Sequence, residues 1–155
     1  SLGYLAAWIL GIFTAVQLSI GIWKLINSNF IRTPMDLAQR YGQGTWAVVT
    51  GATGGLGEEF CTQLAKKGFN IVLVSRNMDK LKQSEQKIKE VDNKVKTKIV
   101  QADFSESMEP EFYQNIFDQL KDLDISIIIN NAGIALFKHF NLVTEKEIKD
   151  MIQTN

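Results

Sequence analysis

The sequence predicts an α/β fold: the first half of a doubly wound parallel sheet, strand order 3-2-1-4, preceded by one transmembrane helix. Three observations predict it. An apolar run opens the chain, four short apolar runs then alternate with stretches of helical periodicity, and glycines and asparagines gather where those runs end. At 155 residues the chain is long enough for one domain and hardly for two.

The opening run, Leu2 to Ile26, reads LGYLAAWILGIFTAVQLSIGIWKLI, in which only Gln17, Ser19 and Lys24 are strongly polar. As a helix it measures roughly 37 Å at ~1.5 Å per residue, enough for a hydrocarbon core of about 30 Å. A soluble domain of this size has little core in which to hide every face of such a helix. A signal peptide has a shorter apolar core behind a basic segment. The expected partner of residues 1–26 is therefore the lipid bilayer. Tyr4 and Trp8 suit one interface, Trp23 and Lys24 the other. Lys24, Arg32 and Arg40 put the rest of the chain on the cytosolic side, or on the matrix side if the membrane is mitochondrial. Residues 27–45 are a juxtamembrane connector, in which Thr33 and Pro34 are expected to cap and open a short helix that runs to Tyr41 and stops at Gly42.

Residues 46–155 alternate. Trp46 to Thr50 is a first strand, Glu58 to Lys67 a helix with Phe60, Leu64 and Ala65 at helical spacing, and Gly68 its stop. Ile71 to Ser75 is a second strand, followed by a charged helix from Met78 to Val91. Lys96 to Gln101, the helix Glu109 to Leu120, the isoleucine-rich strand Ile125 to Asn130 and a last helix capped by Thr144 complete the series. Nearly continuous apolar strands indicate a parallel sheet covered on both faces, and right-handed crossovers give the order 3-2-1-4. A ligand then belongs at the carboxyl ends of the first and fourth strands.

Charge and composition exclude other classes. Lys plus Arg number 17 against 17 Asp plus Glu with no basic block, so no nucleic-acid partner is expected. One Cys and one His leave no disulfide framework and no zinc site built within the chain.

The loops at the strand ends carry the candidate chemistry. Gly51, Gly55 and Gly57 in Thr50-Gly51-Ala52-Thr53-Gly54-Gly55-Leu56-Gly57 suit a tight turn into a helix whose first N–H groups face a pyrophosphate, with Thr53, Gly54 and Leu56 on the same loop. A ligand-free glycine turn is the other reading. Ser75 and Arg76 follow the second strand roughly 20 to 25 residues on, where a dinucleotide fold meets the adenosine ribose. An acidic residue there would favour NAD. Arg76 can instead pair bidentately with a 2′-phosphate, assisted by Lys80, which points to NADP. Asp103, after the third strand, can accept from an adenine amino group or simply form a turn. Asn131, Ala132 and Gly133 end the fourth strand beside the nicotinamide ribose position. Lys138 and His139 read as a surface pair, and Cys61 as a packing residue.

Thr50-Gly51-x-x-x-Gly55-x-Gly57 with Asn130-Asn131-Ala132-Gly133 resembles the short-chain dehydrogenase/reductase family from about Trp46 to Asn155. The apolar span followed by Tyr41-Gly42 and Trp46-Ala-Val-Val-Thr-Gly-Ala-Thr is similar, more narrowly, to its membrane-anchored branch of 17β-hydroxysteroid dehydrogenases and very-long-chain 3-oxoacyl-CoA reductases of the endoplasmic reticulum. The resemblance implies a Rossmann-like fold, NADPH-dependent reduction of a ketone on a lipid-like substrate, and a role for Asn155 as the asparagine whose backbone carbonyl holds a water in the proton relay. It also implies a Tyr-x-x-x-Lys pair. None is present: Tyr4, Tyr41 and Tyr113 are followed at the fourth position by Trp8, Thr45 and Phe117. The chain is therefore expected to be inactive alone. Two readings follow: the N-terminal half of an oxidoreductase, or a dehydrogenase-like accessory subunit of a larger membrane assembly. On either, the edge of the fourth strand is expected to be covered, by the missing half or by a partner subunit.

Overall fold

A computed structural model describes residues 2–31 and 35–155. The chain divides into two units, one ending at Met35 and the other beginning at Asp36.

The first unit is helix α1 (Leu2–Ile26) followed by a π-helical turn, Asn27–Ile31. None of its described residues is buried against protein, and Leu2–Ile31 is long and apolar enough to cross a membrane.

The second unit opens with α2 (Leu37–Tyr41). The expected capping pair, Thr33 and Pro34, lies outside the described residues. Asp36 is the cap instead: its Oδ1 accepts from the N–H of Ala38 at 2.9 Å and of Gln39 at 3.2 Å. There follow β1 (Trp46–Thr50), α3 (Gly55–Lys66), β2 (Asn70–Ser75), α4 (Met78–Val91), β3 (Thr97–Gln101), α5 (Phe112–Leu120), β4 (Ile125–Ile129) and α6 (Glu145–Thr154). The four strands form one parallel sheet in the order β3-β2-β1-β4, as the crossover rule predicts.

Alternation along the strands sends side chains to two cores. Ala47, Val49, Ile71 and Leu73 meet Cys61, Leu64 and Ala65 of α3 and Leu81 and Ile88 of α4 on one face. Val48, Val72, Val74 and Val100 meet Phe112, Ile116 and Leu120 of α5 on the other. Each fully buried aliphatic side chain is worth about 1.5–3 kcal/mol, so these two layers hold the strand ends in register.

Two helices start elsewhere than their periodicity indicates. α3 begins at Gly55 rather than Glu58, because the glycines are themselves its first turn. α5 begins at Phe112 rather than Glu109: Phe112 N–H bonds back to the Glu109 carbonyl at 3.1 Å, and its ring meets Phe104 edge-on at 5.5 Å, fixing the start there.

Candidate functional site

The site is built where β1 and β4 end side by side. Thr50, the last residue of β1, accepts on its hydroxyl oxygen from the N–H groups of Asn131 at 3.0 Å and Ala132 at 2.9 Å. Asn131 answers with its side-chain amide, which donates to the carbonyls of Thr50 at 3.0 Å and Gly51 at 3.3 Å. Thr50 and Asn131 thus lock the glycine turn to the end of β4. The sequence shows Thr50 only as the motif's first letter, and nothing in its type or spacing reveals that the end of β4 bonds to it.

The glycines now have distinct reasons. Gly51 sits at φ +65, and a Cβ there would stand 3.0 Å from the Asn131 amide and 3.1 Å from Ala132 Cα. Gly57 faces inward, where a Cβ would lie 2.1 Å from the Gly51 carbonyl oxygen. Gly54 and Gly55 are the reverse: exposed, with no atom within 4 Å of a Cβ at either. The turn is closed beneath and open above. Gly54 occupies the N-cap of α3 and supplies no side-chain acceptor, so the first-turn N–H groups at the positive end of the helix dipole remain available to an anion. Leu56 projects beside them, exposed.

Gly51, Ser75, Arg76, Asp103, Ala132, Gly133 and Thr154 are brought together around one pocket of about 140 Å³. A neighbouring pocket of about 470 Å³ shares Arg76, Ala102 and Asp103 with it and extends over Phe112, Asn115 and Ile116. Thr53 and Ser75 share a hydroxyl–hydroxyl hydrogen bond of 2.9 Å that ties the glycine turn to the end of β2. Arg76 is exposed and makes no ion pair among the described residues; its backbone carbonyl accepts from the Gln101 amide at 2.9 Å, which steadies the loop. Asn77 caps α4 through Lys80 N–H at 3.0 Å, leaving the Lys80 side chain exposed one turn along. Asp103 forms a turn, its Oδ1 accepting from Ser105 N–H at 3.0 Å and Ser105 Oγ at 2.9 Å, and it lines both pockets.

Asn155 reaches the same place from α6. Its Oδ1 accepts from Ile134 N–H at 2.9 Å and its Nδ2 donates to the Ile134 carbonyl at 3.0 Å, clamping the loop that follows Gly133. Ser107 Oγ donates to the Gln153 carbonyl at 2.8 Å, joining the loop after β3 to the same helix. Lys138 and His139 both lie at the surface; Lys138 bonds Glu147 at 2.6 Å, and Glu147 also accepts from Thr144 N–H and Oγ to complete a capping box. Lys138 and then Thr144 hold the Glu147 carboxyl down at about 2. Burial pushes the Cys61 thiol up to about 12, so it is an inert packing group.

A tight glycine turn open to solvent on one side, leading into an uncapped helix and continuing to an arginine at the next strand end, fits the phosphates of a dinucleotide. Residues 45–155 match the short chain dehydrogenase family. The chain belongs to that family. As a short-chain dehydrogenase it is 43% identical over 134 residues to a very-long-chain 3-oxoacyl-CoA reductase of Coccidioides immitis, covering 85% of this chain and 38% of that one. It is 42% identical over 123 residues to hydroxysteroid dehydrogenase-like protein 1 of Gallus gallus, covering 78% of this chain and 36% of the relative. Among solved structures it resembles a 7β-hydroxysteroid dehydrogenase, with TM-score 0.66 and 32% identity over 77% of this chain and 45% of the other. A short-chain dehydrogenase from Sphingobium yanoikuyae in complex with NADPH aligns with TM-score 0.62 and 28% identity over 71% of this chain and 42% of its own. The chain thus spans less than half the length of each of these proteins.

Proposed function

We propose that this chain is the cofactor-binding, N-terminal half of a membrane-anchored, NADP-dependent oxidoreductase that reduces a ketone on a lipid-like substrate, a 3-oxoacyl-CoA or a steroid. One observation carries the reading: the glycine turn, closed beneath and open above, gives onto Arg76 and Asp103 in a single pocket. NADPH supplies the hydride in such a reduction. The chain's own residues bind and orient. The first-turn N–H groups over Gly54–Gly57 take the pyrophosphate, Arg76 with Lys80 takes the 2′-phosphate, and the Asp103 carboxylate meets the adenine amino group. Asn131, Ala132 and Gly133 line the nicotinamide ribose. The Asn155 amide is spent on Ile134, which leaves its backbone carbonyl for a water of the proton relay. The Tyr and Lys of the family's proton transfer are not among these 155 residues, so this chain is assigned binding and not proton transfer.

The names of the relatives support the substrate class, and the length and apolarity of α1 support a bilayer anchor. The free edge of β4 supports a cover of further polypeptide. The deciding experiment is a fluorescence titration of the chain in mild detergent. Arg76→Ala should weaken NADPH by about 1.5–3 kcal/mol, the worth of a charge-assisted pair, and leave NADH nearly untouched. Equal affinity of the parent for both cofactors overturns the role given to Arg76.

A further inference from the structure

We infer that α1 pairs in the bilayer with α1 of a second copy of this chain, along a seam of Gly3, Ala7, Leu10, Thr14, Gln17 and Gly21. The inference rests on the bilayer reading above. Gln17 lies within about 5 Å of the midpoint of Leu2–Ile26 at ~1.5 Å per residue, where no water reaches and a polar group must find a protein partner. Tyr4, Trp8 and Trp23 lie toward the ends of the span, and the other uncharged polar side chains nearer its middle, Thr14 and Ser19, find a partner locally. Thr14 Oγ1 donates to the Gly11 carbonyl at 2.9 Å and Ser19 Oγ to the Ala15 carbonyl at 2.8 Å. Gln17 makes no hydrogen bond among the described residues. Its carboxamide is left with two donors and an acceptor facing hydrocarbon.

The residues that share its stripe are spaced four and three apart, the heptad spacing of two helices in left-handed contact. Gly3, Ala7, Thr14 and Gly21 on that stripe are small, so a neighbouring backbone can come close enough for an amide to reach across. The opposite stripe, Leu5, Trp8, Ile12, Val16 and Trp23, is bulky and suits lipid. Copies of one chain enter the membrane with the same orientation and so pair in parallel. This sets Gln17 opposite Gln17, and a carboxamide, both donor and acceptor, satisfies its own twin across a twofold axis.

Single cysteines placed in the full chain in membranes test the pairing by oxidative cross-linking. The buried thiol of Cys61 stays silent. Leu10→Cys, Thr14→Cys and Gly21→Cys should form chain-to-chain disulfides about tenfold more readily than Ile12→Cys and Val16→Cys, following the seam. In the Thr14→Cys background, Gln17→Leu should lower the yield about three- to thirty-fold, the range for one interhelical hydrogen bond in lipid, and Gln17→Asn should keep most of it. A flat profile, or one that peaks at Ile12 and Val16, overturns the pairing. Seam positions that cross-link only to a polypeptide of different mass overturn the second copy as partner. Carbonate extraction separates the two levels: a chain released from the membrane defeats the anchor itself, whereas a retained chain with no seam pattern defeats the pairing alone.

Discussion

Val72 in β2 and Ile128 in β4 are mirror positions: both lie beside Val48, one on each side of β1. Their strands read alike, Asn-Ile-Val-Leu-Val-Ser against Ile-Ser-Ile-Ile-Ile. Yet Val72 is 0% exposed and Ile128 is 63% exposed. β2 has a strand on each edge and helices over both faces. β4 has β1 on one edge and nothing on the other among the described residues. Ile127 and Ile129 lean on one core and Ile125 on the other, each only half-buried, and polar groups fasten the two ends of the strand. The Thr45 and Ser126 hydroxyls meet at 2.6 Å at one end, and Asn131 with Thr50 fastens the other. β2 is kept by full burial, and β4 by partial burial with hydrogen bonds at its ends, so an apolar run declares what a strand needs but not whether the cover is within the same 155 residues.

The largest test of that contrast is a lysine at each mirror position. Val72→Lys places a charge where no water reaches and should cost more than about 4 kcal/mol, enough to prevent folding. Ile128→Lys should change stability by no more than about 0.5 kcal/mol. It should also reduce the self-association that an open, apolar strand edge promotes. Circular dichroism melts and size-exclusion chromatography with light scattering in mild detergent read both effects. Equal losses at the two positions, or a parent that is already a stable monodisperse monomer, would break the comparison.

Next in size is the joint that fastens β4 to β1. Gly57→Ala drives a Cβ toward the Gly51 carbonyl and the Asn131 amide, and the backbone cannot yield cheaply. A loss of about 1–3 kcal/mol is expected, together with NADPH binding. Asn131→Ala removes two hydrogen bonds, to the carbonyls of Thr50 and Gly51, for about 1–2 kcal/mol. Hydrogen exchange should show β4 amides loosened more than β2 amides in Asn131→Ala. Uniform loosening would mean that burial, and not this joint, holds β4.

Much of this architecture was legible in the sequence for a physical reason: strand order follows from chirality, and apolar periodicity follows from what must leave water. Both act on short stretches of chain. Helix starts were less legible. The glycines that open α3 look like loop because glycine is a poor helix former, yet here the missing side chains let the first turn pass under Gly51. The site residues were visible by type, but not their partners. Asp103 forms a turn while lining the pocket, Lys138 meets Glu147 nine residues on, and Asn155 spends its amide on Ile134. Such pairings depend on where two distant loops meet, which no local spacing encodes.

The smallest effect concerns that same loop after β4. Lys138 and Thr144 stabilise the ionised form of Glu147 and hold its carboxyl at about 2, below the ordinary value of 4.5. A depressed folded-state value means that the unfolded chain takes up the proton first. The contribution is therefore fully present above about pH 4.5 and is lost as pH falls toward 2. Glu147→Gln keeps an acceptor for Thr144 but gives up the charge. The melting temperature of the parent should exceed that of the variant near neutral pH, and the gap should close between pH 4.5 and 2. Because the pair is on the surface, added salt should narrow the gap as well. β2 has no comparable ion pair, so its amides should exchange alike in parent and variant at every pH. A gap that persists at pH 2, or a carboxyl that titrates at the same pH after Lys138→Ala, would show that the loop is held by the capping box alone.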